Sequence, residues 1–263
     1  MAGFPSALIL AGMALAVPIR CVAQDAGPVH APDGQAPLLI SPLYIPPKAE
    51  APFTAVAKTL VVQVLPDGST VTSQNERHVA RDTDGRIFEE RVTFVPVPND
   101  GTRKMRVHAV DYFDPVNHTW YHCDTGPKVC QVRDYRGELI ETAVSPTGLQ
   151  PDQKTYLMRE NLGTDTFAGL EVQRSRETLT LATESIGNTR TILRTVDYWY
   201  SPALGVNAQV KRHDPRNGDQ TLWLTDVSLN APDPEIFRIP ADFSVVDHRH
   251  PQSIGDAQTA GRQ

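Results

Sequence analysis

Extended segments and turn signals alternate along most of this chain, one of each about every dozen residues, and no helical period of comparable strength runs through it. Phe53 to Leu65 is a β-prone run that ends at the turn signal Pro66-Asp67-Gly68. The same pattern of an extended segment beside a turn signal recurs at Thr70 to Arg81 and at Arg86 to Val97. Turns this frequent favour neighbouring antiparallel strands. We therefore predict a mainly β fold, a single antiparallel, strongly curved sheet or half-barrel of about ten strands with little helix.

The C-terminal part carries the clearest hairpin. Val206 to His213 and Gln220 to Leu229 are rich in β-branched and apolar residues, and the turn signal Asp214-Pro-Arg-Asn-Gly218 joins them. The Pro-rich segment Ala231 to Pro240 leaves this hairpin. We expect that segment to fold back over one face of the sheet, with one helical turn at Asp233 to Phe237.

Four regions divide the 263 residues: a signal peptide at 1–23, a Pro-rich leader at 24–52, an antiparallel β domain at 53–247 and a polar tail at 248–263. The apolar run Ala7 to Val17 is too short for a membrane-spanning helix but fits the core of a signal peptide. Because Met1 to Ser6 lacks Lys and Arg, a buried or anchoring N-terminal helix stays open as the alternative. The leader's apolar residues indicate that part of it lies along the folded domain; the alternative is disorder throughout.

Cys123 and Cys130 are the two cysteines left if cleavage removes Cys21. A two-residue turn at Gly126-Pro127, with glycine at the positive φ of its first position, would place them directly opposite each other on paired strands. That separation suits a structural disulfide, which an exported protein can keep oxidised. A reversible redox pair is the alternative, although the C-x-x-C spacing of such pairs is absent.

Composition and motifs exclude several function classes. A net charge of −6 with no basic run opposes nucleic-acid binding. Asp124-Thr125-Gly126 matches the core of an aspartic-protease motif, but Pro127 follows and a turn explains it better. As strand residues, His118 and His122 would lie roughly 13 Å apart, too far to share one ion. His248 and His250 fall at a fraying end. We predict no enzyme activity, no cofactor and no metal site; a hydrolase with an unfamiliar set of residues is the remaining enzymatic alternative.

The densest aromatic group is the candidate ligand-binding site. We predict that these side chains contact an apolar ligand or partner if the sheet curls, and the alternative is that they fill the core. The candidate residues are Tyr198, Trp199, Tyr200, Trp223 and Phe237.

Several short motifs in the C-terminal half resemble those of a family of exported bacterial proteins of unknown function. The motifs are Leu162-Gly163 with Gly169, Ile186-Gly187-Asn188, Trp199-Tyr200-Ser201-Pro202, Asp214-Pro215-Arg216, and Phe237 with Ile239-Pro240-Ala241-Asp242-Phe243. Such proteins are similar in strand layout to the periplasmic lipoprotein carriers, whose half-barrel encloses a lipid-binding cavity. The helical lid of those carriers has no clear counterpart in this sequence.

The resemblance implies a periplasmic or secreted protein that binds a lipid or apolar ligand on a concave sheet, without a transmembrane span in the mature chain. The alternative is a non-enzymatic scaffold with a filled core that meets another envelope protein. An open apolar cavity above roughly 300 Å³ would favour the ligand, and a filled sheet face would favour the scaffold.

Overall fold

The structure is a computed structural model, and it describes residues 43–96, 103–135 and 146–249. The predicted signal peptide, most of the leader and nearly all of the polar tail lie outside the described residues.

Thirteen strands form one curled sheet that does not close, in the order β13-β6-β5-β4-β3-β2-β1-β12-β11-β10-β9-β8-β7. The strands are β1 (Phe53–Val64), β2 (Thr70–Arg81), β3 (Ile87–Pro96), β4 (Arg103–Asp114), β5 (Thr119–Asp124), β6 (Val129–Asp134), β7 (Gly148–Leu149), β8 (Thr155–Phe167), β9 (Leu170–Leu181), β10 (Ile192–Ser201), β11 (Val206–Asp214), β12 (Gly218–Ser228) and β13 (Ser244–Asp247). The mainly β, antiparallel prediction is confirmed, with thirteen strands in place of about ten.

The predicted C-terminal hairpin forms β11 and β12. Gly218 closes its turn at φ 85°, a conformation that glycine adopts without steric cost. A Cβ at this position would lie 2.2 Å from the carbonyl oxygen of Val62 in β1. The turn therefore needs glycine twice, for its backbone angle and for the close approach of the neighbouring strand.

Two details differ from the sequence prediction. The turn between β5 and β6 has four residues, 125–128, and the residue at positive φ is Lys128 (φ 55°), whereas Gly126 does not adopt one. The last strand, β13, pairs with β6 in parallel, because the chain crosses the sheet before reaching that edge. A segment returning across a sheet can align with the edge strand in either direction, which a local sequence pattern does not specify.

One face of the sheet, here called the core face, carries the main hydrophobic core. Strict alternation places every second residue of a strand on it, such as Phe53, Ala55 and Ala57 in β1. Residues of β2, β3 and β9 to β12 complete this apolar cluster. Leu43 and Ile45 from the leader are buried in the same cluster. Part of the leader thus packs against the sheet, as predicted.

Residues 43–52, here called the strap, are held by two cations. Arg81 is fully buried, and its guanidinium donates to the carbonyl oxygens of Ala51 (2.9 Å), Pro46 (2.8 Å) and Leu204 (2.5 Å). Burial lowers the pKa of Arg81 to about 10. Lys48 Nζ donates to the carbonyls of Pro202 (2.8 Å) and Ala203 (3.0 Å). The strap is therefore fixed to both β2 and the β10–β11 turn.

The opposite face, here called the outer face, is covered over β3 to β6 by the C-terminal segment. A 3-10 helix at Pro234–Phe237 begins this segment, as predicted. Ile239 and Phe243 then pack against a second apolar cluster that contains Tyr112. The segment does fold back over one sheet face.

The disulfide lies in this second cluster. Cys123 and Cys130 are directly opposite in the β5–β6 ladder, with a Cα–Cα distance of 3.9 Å, and they are bonded. The predicted bridge is thereby confirmed. Among residues 43–96, 103–135 and 146–249, no helix has the length and apolar character that a bilayer crossing requires.

Candidate functional site

Two of the five predicted aromatic residues, Tyr198 and Trp199, are buried in β10 and belong to the main hydrophobic cluster. Tyr198 belongs to the core face, where its hydroxyl lies 3.5 Å from Glu177 Oε2. Trp199 lies between the cations of Arg174 (5.0 Å to the ring centroid) and Lys211 (5.2 Å).

The other three predicted residues are half-buried. Tyr200 lies opposite a β-bulge in β11, and Trp223 in β12 shares a cross-strand row with Trp199, with Gln209 of β11 between them. Phe237 lies in the 3-10 helix under the guanidinium of Arg86, 5.7 Å from the ring centroid. A ligand-binding role for this set stays a prediction.

A row of polar side chains crosses the core face of β3 to β6. Glu89 pairs with Asp111, Asp111 with His122, and His122 with Gln131 across the four strands. Trp120 and Arg133 form the next pair along β5 and β6. The same face that is apolar over β1 and β9 to β12 is therefore charged over β3 to β6.

Asp111 is the centre of this row. Its side chain is 1% exposed and accepts three hydrogen bonds, from Arg91 Nε, from Trp120 Nε1 (3.1 Å) and from His122 Nδ1 (2.7 Å). Because a carboxylate oxygen accepts in this contact, the geometry assigns the donated proton to His122 Nδ1. Burial of Arg91 acts to lower its pKa, but the carboxylates of Asp111 and Glu89 outweigh this and raise the pKa of Arg91 above its ordinary value.

A cleft of about 210 Å³ opens above Asp111. Its lining side chains are charged or polar apart from Trp120, and its volume is below the roughly 300 Å³ above which a cavity would favour an apolar ligand. The lining residues are Arg91, Asp111, Trp120, His122, Gln131 and Arg133.

An aromatic wall borders the cleft. Phe113 stacks on Trp120 with ring centroids 5.7 Å apart, and Tyr135 lies 5.3 Å from Phe113. Burial, together with the proximity of Tyr44 and Glu89, raises the pKa of Tyr135 to about 12. A cleft lined by charged side chains and an aromatic wall thus adjoin on one sheet face.

Asp111 orients His122 as a carboxylate orients a general base, and the lining residues of the cleft include no hydroxyl or thiol. Within the described ranges, no group of three or more His, Cys, Asp and Glu side chains is arranged to hold a metal ion.

The motif residues considered from the sequence lie at a strand end, in a turn and beside the edge of the sheet. Asp124 ends β5, and its Oδ1 lies 3.6 Å from His122 Nε2. His118 lies in the turn before β5 and takes a positive φ of 52°. The backbone N–H of His248 donates to the carbonyl of Val132 (2.8 Å), and His250 lies outside the described residues.

Sequence reasoning considered His122 as a metal ligand and missed the cleft. A signal was present, because the predicted pairing of Cys123 with Cys130 also places His122 opposite Gln131 and Trp120 opposite Arg133. Arg91 and Asp111 contribute only because β3 and β4 lie beside β5. The meander order predicts these neighbours, but the sequence does not fix their register.

Comparisons with known proteins give partial structural likeness. No protein-family model matches the chain, and no curated protein matches it. Solved structures similar to it include the Pseudomonas aeruginosa MucA/MucB complex (15% identity, TM-score 0.33, covering 73% of this chain and 58% of that chain). They also include LprF from Mycobacterium bovis (13%, 0.30, 70% and 90%). A third is a DUF1329 family protein from Desulfovibrio piger (9%, 0.20, 72% and 90%). This chain spans less than two thirds of the matched MucA/MucB chain, and none of these TM-scores supports assigning a ligand or partner.

Proposed function

We propose that this is a non-enzymatic protein, exported to the cell envelope, that binds an amphiphilic ligand on the core face of β3 to β6. The carrying observation is the preorganised cleft over Asp111 beside the wall of Phe113, Trp120 and Tyr135. An amphiphile matches such a surface, because its polar group and its apolar part need adjacent sites of opposite character.

The site costs stability to build, which supports a binding role. A buried carboxylate with charged partners is seldom more stabilising than apolar residues of the same volume. Asp111, Arg91 and His122 nevertheless occupy positions that in the other half of the sheet hold Val and Leu. Export is supported by the apolar run at Ala7 to Val17 and by the disulfide.

A second candidate function is a scaffold that meets another envelope protein. The observation in its favour is an exposed apolar row on the outer face, in which Leu149 pairs with Tyr156, and Tyr156 and Leu193 both flank Thr180. The core face over β1 and β9 to β12 is also filled by its own side chains and the strap. In this alternative the cleft would be a structural polar network.

Native mass spectrometry of the protein purified from its own envelope tests the first proposal. We expect a stoichiometric adduct in the mass range of a lipid, which solvent extraction would release for identification. A cell-fractionation blot of the same strain should place the protein outside the cytoplasm. An apo mass under gentle conditions, with the protein cross-linked to one neighbour, would favour the scaffold instead.

A further inference from the structure

We propose that the cleft above Asp111 takes an anionic oxygen group of the ligand, a carboxylate or a phosphate, with Arg133, Arg91 and Gln131 as its hydrogen-bond donors. This inference rests on the proposed function and specifies its ligand class. Some polar atoms of the cleft already make hydrogen bonds within the protein, and the others remain available to a ligand.

Each oxygen acceptor of the lining already accepts at least one hydrogen bond, and with the proton on Nδ1 the one nitrogen acceptor is His122 Nε2. Asp111 accepts from Arg91, Trp120 and His122. Gln131 Oε1 accepts from Arg133 Nη2 at 3.1 Å. A ligand that needs to donate hydrogen bonds therefore meets engaged oxygen atoms in this cleft.

Donors remain. The Arg91 guanidinium bonds Asp111 through Nε and approaches Glu89 Oε2 at 3.9 Å through Nη2, and no described residue accepts from its Nη1. Arg133 uses only Nη2, so its Nε and Nη1 also have no acceptor among the residues that the structure describes. With Gln131 Oε1 engaged, the amide nitrogen of the same side chain points its two protons elsewhere.

The charge balance agrees with this inventory. The lining holds two guanidinium groups against one buried carboxylate. The nearby Glu89 is shared with Arg77, whose Nη1 lies 3.3 Å away. Asp124 is beside His122 rather than beside either lining arginine. Arg133 thus has no carboxylate partner among the described residues, and it lies over the Trp120 ring at 5.7 Å, at the border of the aromatic wall.

Two arginines and a primary amide suit an acceptor-only group. Guanidinium forks match the geometry of carboxylate and phosphate, and bonds to ionised groups are about twice as strong as neutral ones. A neutral head group such as glycerol can donate a hydroxyl proton to His122 Nε2, but it offers the remaining guanidinium N–H groups no charged acceptor. A cationic head would face two positive charges.

The test compares three probes by isothermal titration calorimetry at neutral pH: decanoate, its neutral glycerol monoester, and inorganic phosphate. They are titrated into the full protein, into Arg133→Gln and into Arg190→Gln. Arg190 is an exposed residue of the β9–β10 connection, far along the sheet from the cleft, and serves as the matched loss of one arginine charge. Arg133→Gln leaves the buried Asp111 contacts intact, so we expect this variant to fold.

We expect decanoate to bind about tenfold more tightly than the glycerol ester, the effect of one charge-assisted contact. Arg133→Gln should remove about that tenfold preference and leave the affinity for the ester unchanged, while Arg190→Gln changes neither. If decanoate and its glycerol ester bind equally tightly to every variant, the anion inference is overturned and the amphiphile function stands. If phosphate binds through Arg133 and a decanoyl chain adds no affinity, the inference stands and the amphiphile function falls. If no probe binds, both fall.

Discussion

The two halves of the core face are built on one sheet with one alternation of side chains, yet they have opposite character. Over β1, β2 and β9 to β12 the face is apolar and sealed by the strap. Over β3 to β6 it carries Asp111, His122 and two arginines around a cleft. The first half resembles a protein interior, and the second resembles a binding surface.

The comparison indicates that the sealed half supplies stability, whereas the cleft half carries the proposed binding site. Close-packed apolar side chains supply stabilisation in proportion to the area they bury. A buried carboxylate network adds little net stability, but it fixes side chains in one arrangement. We therefore expect substitutions in the sealed half to affect unfolding most, and substitutions in the cleft half to affect binding more than unfolding.

The largest expected effect is that of Arg81→Met. Methionine keeps most of the side-chain length but donates no hydrogen bond, so three buried carbonyl groups of Pro46, Ala51 and Leu204 lose their donor. We expect the free energy of unfolding in urea to fall by about 3–5 kcal/mol. Arg190→Met, at an exposed site, should change it by less than about 0.5 kcal/mol. Equal effects of the two variants would mean that the strap does not seal this half.

The double variant Cys123→Ala and Cys130→Ala tests whether the disulfide on the outer face contributes to stability without affecting the cleft. The disulfide closes a short loop, which the chain-entropy model values at about 2.5 kcal/mol. Urea unfolding should show a loss of roughly that size, and reduction of the unmodified protein should reproduce it. Because the bridge is on the outer face, decanoate affinity should change by less than about threefold. A loss of binding as large as the loss of stability would show that the two faces are coupled.

Asp111→Asn sharpens the comparison within the cleft half. The amide keeps the shape but removes the charge that holds Arg91 and His122, so we expect the free energy of unfolding to fall by about 2 kcal/mol. The control is Glu76→Gln, which removes an exposed carboxylate paired with Lys58 at 3.5 Å and should cost less than about 1 kcal/mol. If Asp111→Asn were as costly as Arg81→Met, the cleft would be a stabilising core element.

The smallest expected effect concerns Tyr135 and alkaline pH. Its pKa is raised from 10.0 to about 12, so its contribution is fully present below pH 10 and is lost as pH rises towards 12, where the unfolded state ionises first. Between pH 9 and pH 10.7 the protein should lose about 1 kcal/mol relative to Tyr135→Phe, in paired urea titrations. A constant difference between the two proteins would show that Tyr135 is more solvated than the aromatic wall implies.

Much of the fold could be predicted because its signals are local. A turn such as Asp214 to Gly218 needs particular residues at particular backbone angles, and strand alternation is visible within a few residues. The disulfide followed from the register of a single hairpin. The aromatic ligand-binding site stays a prediction, and the cleft was not predicted because Arg91, Asp111 and His122 meet only when three strands lie side by side in one register.

The sequence by itself determined the strands, the main turns, the cysteine pair and the expectation that the leader and the C-terminal segment pack on the sheet. Tertiary structure alone decided that β12 returns to pair with β1, which joins two meanders into one sheet. It also decided that Arg81 meets Leu204, 123 positions away, and that Arg91 and Asp111 share a cleft with His122. The reason is physical: local propensity extends over a few residues, whereas contacts between distant segments depend on which strands finally lie side by side.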